Sequence, residues 1–316
     1  EGDRIRITAR LIETAGGRQV WAERYDHKID DIFAVQDEIT EKIVAAMDIK
    51  LVTGEVSRNI RETIQNPEAL ECYYHGWEAL FGSTKEDIIE AQQRFEETMR
   101  LEPEASFGYA MAAWAHWWAV AQRLSENIAL SLQRAAELAG RAMELDDFTG
   151  LSHLVMAEID LFNHEHDKAL AAVEKAVIAR PSCDISFAAK ANILTYLGRP
   201  TEAIDLAKFA IRLAPVYPPF FQAILAAAFY GSGRHEEAIA AAKDTLKSDR
   251  ENLDAFLILA GANAALDRKV EALEAASEIK RIKPDFTLEK YAANQPYKDP
   301  QTLEQVITML RKAGLH

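Results

Sequence analysis

One alanine recurs through this 316-residue chain at nearly constant spacing: Ala91, Ala135, Ala169, Ala203, Ala238 and Ala272 are separated by 44, 34, 34, 35 and 34 residues. Twelve residues beyond each stands a helix stop, at Pro103, Asp147, Pro181, Pro215, Arg250 and Pro284. Proline cannot continue a helix, because it lacks the backbone donor and its ring clashes with the preceding turn. A period near 34 with two apolar helical stretches per unit predicts stacked helix pairs. Such an array presents a curved surface rather than an enclosed catalytic pocket.

The small residues set the register of each pair. Ala79, Ala157, Ala191, Ala226 and Ala260 precede a framing alanine by twelve positions and are placed on the first helix. Ala142, Ala176 and Ala210 follow one by seven positions, with Thr98, Thr245 and Ile279 in that place elsewhere. Small side chains let antiparallel helices approach, and Leu206, Phe209 and Leu213 fill the gaps along one stripe. The turn between the helices recurs as Gly198-Arg199-Pro200 and Gly233-Arg234-His235, where glycine supplies a left-handed cap. The third and sixth units replace it with Glu165-His166-Asp167 and Asp267-Arg268-Lys269. The second unit is longer, with the excess between Phe107 and Leu132.

Composition narrows the function. A net charge of −14 argues against a phosphate-binding surface, so no nucleic-acid partner is expected. No apolar run is long enough to cross a bilayer, and no membrane insertion is expected. Cys72 and Cys183 fit no metal spacing and read as buried thiols in a reducing, cytoplasmic setting. Gly231-Ser232-Gly233 lacks the Lys-Ser/Thr of a phosphate loop. His164-Glu165-His166-Asp167 is the densest ligand-like cluster, but it falls at a turn and reads as solvated. His116, among Trp114, Trp117 and Trp118, reads as packing or groove lining. No catalytic, cofactor or metal site is predicted, and this chain is read as non-catalytic.

From about Pro67 to Pro284 the register resembles the tetratricopeptide repeat family. The resemblance implies a mainly α fold, a right-handed superhelix of helix pairs whose first helices line a concave groove. Carrying the family's register onto this sequence gives Phe107, Trp114 and Trp117 in the second repeat, and Leu151, Leu154, Glu158 and Leu161 in the third. Ile185, Asn192 and Thr195 follow in the fourth, Phe220 and Tyr230 in the fifth, and Leu257 in the sixth. A protein or peptide in that groove is the implied partner. Asn192 matches the asparagine of the carboxylate-clamping type, but Ala188 replaces the clamp lysine, so capture of a terminal carboxylate is not implied. The six repeats are assigned to residues 64–284 and a capping helix segment to 285–316, with Asp299-Pro300 starting its helix and Gly314 ending it.

Residues 4–12 alternate, with Ile5, Ile7, Ala9 and Leu11 on one side, and predict a strand. Gly16-Gly17 turns the chain into a second strand over Gln19–Tyr25, and Ile32, Val35, Ile39 and Ile43 form a helical stripe after it. Arg4–Ile12, Val20–Asp26 and Asp31–Ile39 resemble part of a bacterial TolB-like α/β linker domain, which joins a signalling output domain to tetratricopeptide repeats. That resemblance assigns residues 1–63 to a truncated α/β linker and places missing strands upstream. It implies a regulatory module of a class III adenylate or guanylate cyclase, whose catalytic residues would lie outside this sequence. The segment from Pro296-Tyr297-Lys298 to Leu315 is similar to the tails of the same group. A winged-helix regulator upstream, an oligomerisation scaffold and a small-molecule sensor are the alternatives. The scaffold would dimerise through the hairpin edge or the terminal repeat, with the groove empty or filled by the chain's own tail.

Overall fold

A computed structural model of the protein describes residues 4–12, 19–28, 60, 63–80, 84–145, 149–214 and 218–316. The chain divides into two compact units, Glu1–Gln65 and Asn66–His316. In the first unit, strands β1 (Arg4–Ile12) and β2 (Gln19–Lys28) pair antiparallel, with Ile7 opposite Tyr25 and Leu11 opposite Trp21. The helix expected after them lies outside the described residues.

The second unit contains fourteen described helices and no described strand. Twelve form six pairs: α1 (Pro67–Leu80) with α2 (Lys85–Leu101), α3 (Ser106–Ala121) with α4 (Ile128–Glu144), and α5 (Leu151–Phe162) with α6 (His166–Ala179). They continue as α7 (Asp184–Tyr196) with α8 (Pro200–Leu213), α9 (Pro219–Gly231) with α10 (His235–Ser248), and α11 (Leu253–Ala265) with α12 (Lys269–Ile282). A short α13 (Leu288–Ala293) and a longer α14 (Pro300–Lys312) follow.

Each helix packs on its sequence neighbours, so the pairs stack into a solenoid. The first helices also touch one another, α3 on α5, α5 on α7, α7 on α9 and α9 on α11. Consecutive second helices make no comparable contact, so the first helices line the inside of the curve. The α14 helix packs on α11. Its Leu310, and Ala313 and Leu315 just beyond its end, are fully buried.

The framing alanines lie where paired helices cross, and all six are at most 1% exposed. The third small position is equally closed. There Thr98 and Thr245 satisfy their hydroxyls by donating to the carbonyls of Arg94 and Ala241, at 3.0 and 3.1 Å. A buried hydroxyl without such a partner would be costly. The first pair departs from the sequence register. Ala79 is only partly buried, and Gly76 makes the close approach instead. A methyl on Gly76 would come within 2.8 Å of the Phe95 ring.

Five turns between paired helices use one device. The residue after the C-cap takes positive φ at Arg123, His164, Gly198, Gly233 and Asp267. The next amide then donates back to the carbonyl five residues earlier, as from Arg199 to Leu194 and from Arg268 to Asn263, both at 2.9 Å. This is a Schellman closure, and it satisfies two of the carbonyls left open at the helix end. Glycine adopts that conformation freely, whereas a side chain there costs about 1 kcal/mol. A Cβ at Gly198 would meet nothing within 4 Å, so only the backbone term operates. Gly198→Ala is therefore expected to lower stability by about 1 kcal/mol. His164→Gly is expected to shift the denaturation midpoint in the opposite direction. Urea unfolding of the two variants checks both signs.

Candidate functional site

The carboxy-terminal segment does not run on past the solenoid. After α12 it turns back, and residues 286–298 lie against the first helices. Phe286, Tyr291 and Tyr297 pack on the main core with Tyr230 of α9. The Tyr297 ring meets the Tyr196 ring of α7 edge-on, at 5.0 Å between centroids. The Lys298 amide donates to the Tyr196 carbonyl at 3.0 Å. His166 Nε2 lies 2.8 Å from the Pro296 carbonyl, which can only accept, so that nitrogen carries the proton. Lys298 Nζ reaches the Asp167 carboxylate at 2.8 Å and holds it below the usual carboxylate range. The chain's own tail is therefore the occupant of this part of the inner face.

Other side chains close the region from the far side of the curve. Arg123, just after α3, pairs with Asp254 of α11 at 2.9 Å. Trp118 of α3 meets Phe220 of α9 edge-on at 5.6 Å. Trp118 also stacks on Trp114, and Trp117 lies against both. Burial drives the Tyr297 phenol up to about 12, and the phenols of Tyr196, Tyr230 and Tyr291 are raised by the same cause. These four rings stay neutral and act as packing groups. A methyl on Gly261 would lie 2.7 Å from the Tyr230 hydroxyl, so this glycine makes room for that ring.

The residues placed in the groove from sequence divide by exposure. Trp117, Leu151, Glu158, Ile185, Asn192, Phe220 and Tyr230 are partly exposed. Phe107, Trp114, Leu154, Leu161, Thr195 and Leu257 are buried, and the Thr195 hydroxyl donates to the Ala191 carbonyl of its own helix. Sequence reasoning did not select Trp118, Tyr196, His166, Asp167 or Arg123. The cluster at 164–167, read as a solvated turn, supplies two of the contacts to the tail.

Catalytic chemistry finds little to work with. Among the described residues no group of His, Cys, Asp and Glu could hold a metal ion. His116 Nε2 is buried without a hydrogen-bond partner, and desolvation pushes its imidazole down to about 4. No relay is built around it. Cys72 and Cys183 are free and buried. No described helix is long and apolar enough to cross a membrane.

The model of the tetratricopeptide repeat family matches residues 154–218 and 225–285. Over these two stretches the chain is built of tetratricopeptide repeats. It is 35% identical over 108 residues to a protein of Rhizobium meliloti (strain 1021) named "Putative adenylate cyclase 3". The match spans 34% of this chain and only 18% of that relative. Among solved structures, the Cut9–Hcn1 hetero-tetramer of the APC/C is similar with a TM-score of 0.59 at 13% identity, over 85% of this chain and 48% of that one. PilW, a type IV pilus biogenesis factor, is similar with a TM-score of 0.50 at 17% identity, over 66% and 89%. These two likenesses concern the fold. Tetratricopeptide arrays are interaction architectures, built to offer an extended surface to a protein segment.

One acid on the inner face titrates unusually. Glu158 has no partner among the described residues, and desolvation raises its carboxyl to about 8. The native state thus holds this proton more tightly than the unfolded chain. The resulting stability is complete below the ordinary glutamate range and is lost as pH rises toward 8. His116 acts oppositely, since its folded value lies below 6.5 and its contribution is lost on acidification. Between pH 6.5 and 8 Glu158 acts alone of the two. The melting temperature is expected to fall across that window, and Glu158→Gln is expected to flatten the slope.

Proposed function

We propose that this chain is a non-catalytic, regulatory protein-interaction module of a bacterial signalling protein whose output domain is an adenylate or guanylate cyclase. The observation that carries the interaction role is the inner face itself. It holds a non-helical stretch of polypeptide, residues 296–298, by hydrogen bonds to its backbone, an aromatic pair and a charge pair. The partial likeness to a cyclase-named relative supports the output domain, as does the resemblance of the first 63 residues to a TolB-like linker. In this reading a partner bound to the repeats biases the output domain through the linker. The residues with catalytic roles lie outside this sequence.

The test uses the full-length gene product. Conversion of ATP and GTP to cyclic nucleotides is measured for the intact protein and for the Tyr196→Ala variant. Cyclic nucleotide formation that changes at least severalfold with Tyr196→Ala is expected. Formation that is present but insensitive to the change would refute regulation through the inner face. An intact protein that forms no cyclic nucleotide, yet captures partners through the repeats, would refute the cyclase assignment alone.

A further inference from the structure

The contacts made by residues 296–298 have the character of ligand recognition rather than of core packing. Core positions in this unit repeat from pair to pair and are filled by Ala, Leu, Ile and Phe. The tail contacts do not repeat. They join the first turn of α6 to residues 130 and 131 positions downstream, and the end of α7 to Tyr297 and Lys298. Two of them address the backbone of an extended segment: the His166 imidazole to the Pro296 carbonyl, and the Tyr196 carbonyl to the Lys298 amide. Two address side chains: the Tyr196 ring to an aromatic residue, and the Asp167 carboxylate to the next, basic residue. Backbone bonds with flanking side-chain tests are how an extended peptide is read by a folded surface.

We infer that the start of α6 and the end of α7 form a recognition site for an extended aromatic–basic segment of a partner protein, and that Pro296-Tyr297-Lys298 occupies it in cis as an internal competitor. Charge complementarity selects such a partner. The ionised acids at this place are Asp167 and Asp254, the latter close enough to act on the Tyr196 and Tyr297 phenols, in a chain of net charge −14. The tail neutralises Asp167, and Arg123 neutralises Asp254. The charge pair adds little to the hold on the tail. The Lys298–Asp167 pair is exposed, with side chains 49% and 91% accessible, and exposed pairs contribute little. A tethered segment still competes at an effective concentration near millimolar. A partner therefore binds with its intrinsic affinity reduced by the fraction of molecules whose site is open. The inference rests on the interaction reading of the repeats and not on the cyclase assignment.

A fluorescent peptide of residues 285–299 serves as the probe, with a scrambled peptide as control. Its anisotropy is titrated with the wild-type chain, with a Tyr297→Ala/Lys298→Glu release variant, and with the release variant that also carries Tyr196→Ala and Asp167→Ala. Far-ultraviolet circular dichroism and melting establish that each is folded. The release variant is expected to bind the peptide at least about tenfold more tightly than wild type, because the competitor is gone. The added changes at Tyr196 and Asp167 are expected to abolish that gain. Equal binding by wild type and release variant would overturn the occlusion while leaving the repeats an interaction surface. A folded release variant that ignores the peptide would overturn the recognition site, and with it the interaction reading of this face. A wild-type dimer that becomes monomeric in the release variant would mean that the tail lies in a second copy, and would overturn the cis arrangement.

Discussion

Everything in the repeat unit depends on how closely paired helices approach at the framing alanines. All six of these positions carry a methyl group closed to solvent. Close packing makes such contacts intolerant of added volume, so they set the distance and rotation of each pair. The rotation determines which residues of α3, α5, α7, α9 and α11 face inward. Repeated from pair to pair, it generates the curvature that brings Trp118 to Phe220 and Arg123 to Asp254.

The inner face follows from that curvature, and its chemistry comes from residues that the repeat does not constrain. The Schellman closures free the turn residues from structural duty apart from their left-handed backbone. His164, Arg123 and Asp267 accept that backbone at some cost, where Gly198 and Gly233 do not. Two of the three put the position to use in long-range pairs, Arg123 with Asp254 and Asp267 with Lys312. The neighbouring His166 and Asp167 hold the tail. Structure is thus carried by the small residues in the helices, and recognition by the turns and helix ends.

The periodic part of this arrangement was legible in the sequence, because period and helix stops report directly on stacking. The match fails at Ala79, which is partly exposed while Gly76 makes the close approach. The occupant of the inner face was present only as an unranked alternative, the chain's own tail. Its contacts obey no period, and nothing local marks His166 as a partner for Pro296. The apolar residues Leu154, Leu161 and Leu257 share the helical stripe that the family register points to, yet they are buried. A stripe of that width cannot separate the core edge of a helix from its groove edge. Tyr196 escaped notice for the related reason that it ends α7, where the periodic pattern stops.

The central claim is that residues 296–298 are bound on the inner face as a ligand would be. Hydrogen exchange of the intact chain, resolved to individual amides over residues 294–299, tests it most directly. The account predicts a protected Lys298 amide, because it donates to the Tyr196 carbonyl, and loss of that protection in the Tyr297→Ala/Lys298→Glu variant with the helices still protected. Exchange of the Lys298 amide in the wild-type chain at the rate of a free peptide would contradict it.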